Sequence, residues 1–182
     1  MPVSEQAYRQ YVLEHPDEKW ELVCGELRRK PEMTWEHNHT YRNLGWRLHE
    51  QLDESEFEVV TDSGRVRRSA ENYFIPDLYV VPMELIRRLF TEPGMLEAYP
   101  EPLPLVVEVW SPSTGNYDVT TKLEEYKRRG DLEIWFIHPY EHTLTAWRRQ
   151  SDGSYEETLY RSGRVHPAFL PNVAIDLDTL FE

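Results

Sequence analysis

The chain has 182 residues, enough for a single domain spanning 1–182 with a buried core, and its 40% hydrophobic and 13% aromatic content excludes the disordered class. A net charge of −13 excludes a surface that is basic all round, so any nucleic-acid contact has to be local; Arg65, Arg67 and Arg68, and Lys127, Arg128 and Arg129, are the two clusters available, although most charge runs are solvated faces. One cysteine, Cys24, rules out an internal disulfide framework and fits a reducing compartment.

The first twenty residues carry no basic n-region followed by an apolar run, and no stretch approaches the roughly 20 apolar residues of a membrane span. The expected location is therefore cytoplasmic, with no membrane partner. Ser4 to about Glu14 predicts a short helix closed by His15-Pro16. WELVCGELRRKP predicts a hairpin with its turn at Cys24-Gly25. From about Trp35 to Leu52 the pattern is helical, with Tyr41, Leu44, Leu48 and Leu52 on one face.

FEVVTDSGRVR and NYFIPDLYVV predict strands separated by turn-forming residues. The run Leu105–Val109, broken only by Glu108, predicts a strand buried on both faces. A helix follows over Tyr117–Arg129, stopped by Gly130, and then LEIWFIHP predicts another buried strand. HTLTAWRR and SYEETLYRS predict a late hairpin turning at Gly153, and FLPNVAIDLDTLF a short strand and turn packing back. This order predicts an α/β fold with a mixed sheet whose middle strands contain Val59, Asp77, Glu108 and Trp135, flanked by the Leu44 and Lys122 helices.

Two carboxylates stand where strands should be apolar, Asp77 in YFIPDLYVV and Glu108 in LVVEVW. A charge inside a buried strand costs several kcal/mol, on the order of what a buried ion loses in hydration, unless it is paired or holds a metal. On consecutive strands the two can meet, and paired carboxylates are the oxygen ligands that Mg²⁺ takes. Each alone is as well explained by an arginine partner or a turn. Asp118, Lys122 and Tyr126 recur at four-residue spacing on one helical face, which is also the spacing of an ordinary Asp118–Lys122 surface pair. A lysine facing the carboxylates would stabilise charge on a phosphate or orient an attacking water.

WELVCGEL, the stretch from His37 to Leu44, IPDLYVV, LVVEVWSPST, YDVTTKLEEYKRRG and LEIWFIHP occur in the order and spacing of one group. Over roughly residues 20–150 the chain resembles the Uma-two family of restriction endonucleases, in the PD-(D/E)XK nuclease superfamily; EVWSPST with the KLEEY helix is the most distinctive part. The resemblance implies a restriction-endonuclease-like αβββαβ core, here with an N-terminal and a C-terminal hairpin added. It implies Asp77 and Glu108 as Mg²⁺ ligands, with Mn²⁺ able to substitute, and the Val109 carbonyl beside them.

The superfamily lysine belongs two residues after the Glu, where this chain has Trp110; Lys122 matches the lysine that the family carries on the following helix, with Tyr126 bracing it. Glu21, Glu26 and His37 match recurring positions. Either glutamate would complete the metal shell, and His37 at a helix start is more often a capping or packing residue than a ligand.

The implied activity is Mg²⁺-dependent endonucleolytic hydrolysis of nucleic acid, expected to be DNA, and a homodimer would suit cutting of both strands. The competing expectation is a nuclease fold kept only for binding a nucleic acid or a protein, which the acidic charge and Trp110 favour. Other chemistries find no support. His37 and His39 do not share a helix face, and there is no Gly-rich phosphate loop, no CxxC and no G-x-S-x-G elbow. Ser111 and Thr114 read as a cap and turn.

Overall fold

The computed structural model describes residues 2–182, apart from the side chains of Asn116 and Asp118. Its elements in chain order begin with α1 (Glu5–Glu14), capped by the Ser4 side chain, and a hairpin of β1 (Trp20–Val23) and β2 (Glu26–Arg29). Then come α2 (Trp35–His49), β3 (Phe57–Thr61), β4 (Val66–Ser69), β5 (Asn72–Phe74), β6 (Leu78–Pro82), α3 (Met83–Leu89) and β7 (Leu105–Val109). The second half holds α4 (Gly115–Tyr117), a π-helical turn (Asp118–Lys122) and α5 (Leu123–Arg129), then β8 (Glu133–His138), β9 (Thr143–Arg149), β10 (Tyr155–Tyr160), β11 (Arg164–Val165), β12 (Ile175–Asp176) and α6 (Leu177–Leu180).

The expected α/β architecture with a mixed sheet is present. Six strands run in the order β10-β9-β8-β7-β6-β3, with β7 and β8 parallel and every other pair antiparallel. Strand β7 is buried along its whole length, as its apolar run requires. Helix α2 packs Tyr41, Leu44 and Leu48 on one face of this sheet, against Leu78, Val80, Leu105, Val107 and Trp135. The C-terminal elements close over the same cluster with Val165, Leu170, Ile175 and Leu180, and Arg47 and Asn43 of α2 hydrogen-bond to Thr179 and Leu180. On the other face, Leu123 and Tyr126 of α5 pack with Val106 and Ile134.

Four strands form a separate antiparallel sheet, β2-β1-β5-β4, which the sequence did not foretell. FEVVTDSGRVR and NYFIPDLYVV are not two strands but four, and each segment crosses from one sheet to the other. The first crossing turns at Asp62, whose φ of 47° breaks the strand, and at Gly64; the second passes Ile75-Pro76-Asp77, where proline removes a ladder donor. Phe74 and Val66 of the small sheet share a core with Tyr79 and Val106 of the large one, so the two sheets are packed together.

Four further expectations need correcting. Val59 lies on β3, an edge strand rather than a middle one, and Asp77 stands just before β6. Helix α2 ends at His49, although Leu52 still packs on the core from the turn beyond it. The helix expected from Tyr117 starts at Gly115 and contains a π turn before α5, which Gly130 closes with φ 81°. The tail ends in the four-residue helix α6 rather than a turn, and α3 was not expected at all. None of the helices described is long and apolar enough to cross a membrane.

Candidate active site

The crossing at Ile75–Asp77 puts Asp77 at the seam between the two sheets, beside the end of β7. Its carboxylate is buried and fully engaged. Oδ1 accepts from Lys30 Nζ at 2.8 Å, and Oδ2 meets His37 Nε2 at 2.9 Å and the Val109 N–H at 2.7 Å. Burial by itself would raise the pKa of Asp77, but the Lys30 ammonium and the His37 hydrogen bond outweigh it and hold the carboxyl far below the usual range. Lys30 is as deeply set. Burial disfavours its charge, yet Asp77 and then Asp62 push its pKa above the ordinary lysine range. It also donates to Asp62 Oδ1 at 2.9 Å and to the Ile75 carbonyl at 3.1 Å.

Glu108 occupies the next strand and faces α5. Its Oε1 accepts from Lys122 Nζ at 3.1 Å and from the Tyr126 hydroxyl at 2.5 Å. Burial and the neighbouring Glu108 raise the Tyr126 pKa well above its ordinary value, so the phenol stays protonated and donates. Tyr126 thus holds the carboxylate directly, instead of bracing Lys122 as expected. Lys122 also reaches Glu21 Oε1 at 3.0 Å, and that same oxygen accepts the Ile75 N–H at 2.9 Å.

The two halves of the site are therefore joined through one backbone residue. Ile75 gives its carbonyl to Lys30 and its N–H to Glu21.

Asp77, Glu108, Val109, Lys122, Tyr126, Glu21 and His37 all meet in this cluster. Glu21 is the N-terminal glutamate that reaches it, whereas Glu26 is exposed on β2. His37 does more than cap or pack, since it contacts Asp77 through a buried ring nitrogen. His39 turns away to the Glu182 carbonyl and stacks on Trp35. The side chain of Asp118 lies outside the described residues. Ser111 and Thr114 hydrogen-bond to each other at 2.9 Å in the turn before α4, as a cap and turn would.

Both basic clusters are engaged within the fold. Arg65 donates to Tyr8, Arg67 pairs with Glu5, Arg68 and Arg128 share Glu125, Lys127 pairs with Glu124, and Arg129 is buried against Asp131.

Three participants were missed from the sequence. Lys30 and Asp62 sit in polar stretches with no periodicity to single them out, and only the hairpin's return brings Lys30 beneath Asp77. The third is Tyr117, whose buried hydroxyl has no hydrogen-bond partner among the described residues. Burial raises its pKa, and Glu21, Lys122, Arg28 and Glu108 all act on it, so this orphaned hydroxyl borders the same cluster. Arg28 lies over its ring at 3.3 Å.

Among curated proteins, none matches the chain. A crystal structure described as a putative nuclease belonging to DUF820 from Anabaena variabilis ATCC 29413 shares the fold with a TM-score of 0.78, at 19% identity over 99% of this chain and 98% of that one. The family model described as "Putative restriction endonuclease" matches residues 5–178. With that match running through both sheets and every residue of the buried cluster, the chain belongs to the Uma2 family.

Proposed function

We propose that the protein hydrolyses phosphodiester bonds of nucleic acid, DNA foremost, with Mg²⁺ held by Asp77, Glu108 and the Val109 carbonyl, and with Mn²⁺ able to replace it. The observation that carries this reading is the pair of buried carboxylates at the seam, Asp77 just before β6 and Glu108 on β7, each paired with its own buried lysine. A structural ion pair needs one such couple; two couples side by side, linked through Val109 N–H and Ile75, form a charged interior that stability alone does not require.

The donor chemistry fits a hard divalent ion, because Asp77, Glu108 and Glu21 offer carboxylate oxygens. Among the described residues no three metal-ligating side chains stand ready together, and the ammoniums of Lys30 and Lys122 bridge the carboxylates instead. The orphaned Tyr117 hydroxyl marks a polar position beside them, open to a water or a phosphate oxygen.

When bound, the ion supplies a water of lowered pKa and neutralises charge on the scissile phosphate. His37 orients Asp77 from its second oxygen, and Tyr126 fixes Glu108. Lys122, held between Glu108 and Glu21, offers a fixed cation to the phosphate as it gains charge.

Calorimetric titration with Mn²⁺ should show binding that Asp77→Asn and Glu108→Gln both abolish, and purified protein should nick plasmid DNA only with the metal. Unchanged Mn²⁺ affinity in both variants rejects the site. A second reading, the fold kept for binding alone, is favoured by Trp110 at the superfamily lysine position and by the net charge of −13. It wins if metal binds and no nucleic acid is cut.

A further inference from the structure

We propose that the aromatic hollow opening from Glu108 receives an unpaired nucleobase, so that the substrate enters as a single strand; the proposal rests on the nuclease reading above and names its substrate class. Strand register builds the hollow. Glu108 pairs with Phe136, Phe136 with Thr145, and Thr145 with Leu159, so these four side chains cross the sheet in one row on the face that carries α5.

Helix α5 packs on Leu123 and Tyr126 over the first strands of this face and leaves the β8–β10 end uncovered. The space enclosed is about 370 Å³, within the roughly 300–1,000 Å³ of small-ligand sites. Its walls are aromatic. Trp110, two residues past Glu108 and hence on the same side of the chain, stacks on His138 at 4.4 Å and 19°, with Tyr140 edge-on at 5.9 Å. Phe136 and Trp147 form a second edge-to-face pair at 5.1 Å. Trp110 packs closely on Gly115, where a Cβ would run into its indole nitrogen.

Leu159 is 49% and Val119 44% exposed at the rim, an apolar exposure that the fold gives no reason to keep.

Charge selects the occupant. A duplex hides its base faces and is held by cations along its phosphates, but Arg67, Arg68, Arg128 and Arg129 already pair with carboxylates of this chain, Arg68 and Arg128 at exposed positions, and the net charge is −13. A single strand offers flat π-faces that stack whatever the sequence. The rim adds Glu141, an acceptor for an exocyclic amino group, and Arg161, a cation for the backbone. The position that carries a lysine elsewhere in the superfamily thus carries, in this chain, the wall that would stack on the base next to the cut.

The test uses full-length Asp77→Asn protein, so that no strand is cut, and fluorescence anisotropy with three labelled ligands of equal length. These are a single-stranded DNA oligonucleotide, its blunt duplex, and a strand made only of abasic sites. The single strand should bind about tenfold or more tightly than either of the others. Trp110→Ala should remove about tenfold of that affinity, the scale of one lost base stack, and Trp110→Phe should keep most of it. Leu159→Glu, at a half-exposed position, provides a second variant and should also weaken the single strand. Equal affinity for the three ligands, or full single-strand affinity in both Trp110→Ala and Leu159→Glu, overturns the proposal. Cleavage by wild-type protein, measured in parallel, scores the nuclease reading separately. Cutting with no Trp110 effect on binding overturns the hollow and spares the nuclease, whereas Trp110-dependent strand binding without cutting supports the hollow and overturns the nuclease.

Discussion

Replacing Lys30 by methionine tests whether the buried charges are poised for a cation. The lysine side chain is 5% exposed, Asp77 2% and Asp62 22%, and its ammonium makes bonds of 2.8 Å to Asp77, 2.9 Å to Asp62 and 3.1 Å to the Ile75 carbonyl. Methionine refills the stem's volume, so a cavity contributes little. What remains is a buried Asp77 whose Oδ1 has lost its ammonium while His37 and the Val109 N–H keep Oδ2; removing one partner of a buried pair costs about 3–5 kcal/mol, the orphaned Ile75 carbonyl included.

Urea denaturation at neutral pH in EDTA should show Lys30→Met less stable than wild type by about 3–5 kcal/mol. Adding Asp77→Asn should recover at least about 1 kcal/mol of this, because the two residues interact directly. Mg²⁺ at a hundredfold over its Kd would stabilise a one-site protein by about 2.7 kcal/mol, and Lys30→Met should gain more than wild type, since the ion no longer competes with the ammonium. A loss below about 1 kcal/mol, or a double variant no better than the single one, would refute the reasoning.

Other outcomes follow from the same contacts. Lys122→Ala should lower plasmid cleavage about a hundredfold or more while Mn²⁺ binding persists, and Lys122→Arg should rescue poorly because a planar guanidinium does not replace a compact ammonium; near wild-type turnover in both would show Lys122 to be structural only. Arg129→Met strips Asp131 of its charged partner and takes a donor from the carbonyls of Arg67, Tyr99 and Glu101, so thermal or urea unfolding should register a loss of about 3–5 kcal/mol. Glu5 has its pKa lowered, chiefly by the Tyr73 hydroxyl with Arg9 and Arg67 nearby. A lowered carboxylate contributes stability that is present above its unfolded value and is lost as pH falls through the folded one. Glu5→Gln should therefore cost up to about 1 kcal/mol at neutral pH, about a third of Glu5 being exposed, and the difference from wild type should vanish below the usual carboxylate range.

Asp77 and Glu108 were legible because each breaks an apolar strand, and a charge there demands a reason. Lys122 and Tyr126 were legible by helical spacing, which held through α5 even though a π turn precedes it. Such single-turn irregularities often stand at functional sites. Lys30 left no such trace. It follows two arginines and precedes a proline, so nothing local separates it from a solvated run, and its burial is purely tertiary. The second sheet was hidden for a related reason. Alternation reports which residues face a core, not which sheet a strand joins, and the only hints were the DSG turn and Pro76 inside an otherwise strand-like run. Glu21 could not be chosen over Glu26 because that choice depends on how the hairpin packs rather than on its pattern.

The seam between the two sheets has a consequence for the chain as it is made. Glu21, Lys30, Asp77, Glu108 and Lys122 come from five separate segments, and the cluster closes only when both sheets have docked around Ile75. A growing chain that has released the first sheet and α2 holds isolated carboxylates and amines. Because partners such as Glu21 and Lys122 lie far apart in sequence, the charged centre takes shape late in folding, once the helix that carries Tyr126 has packed.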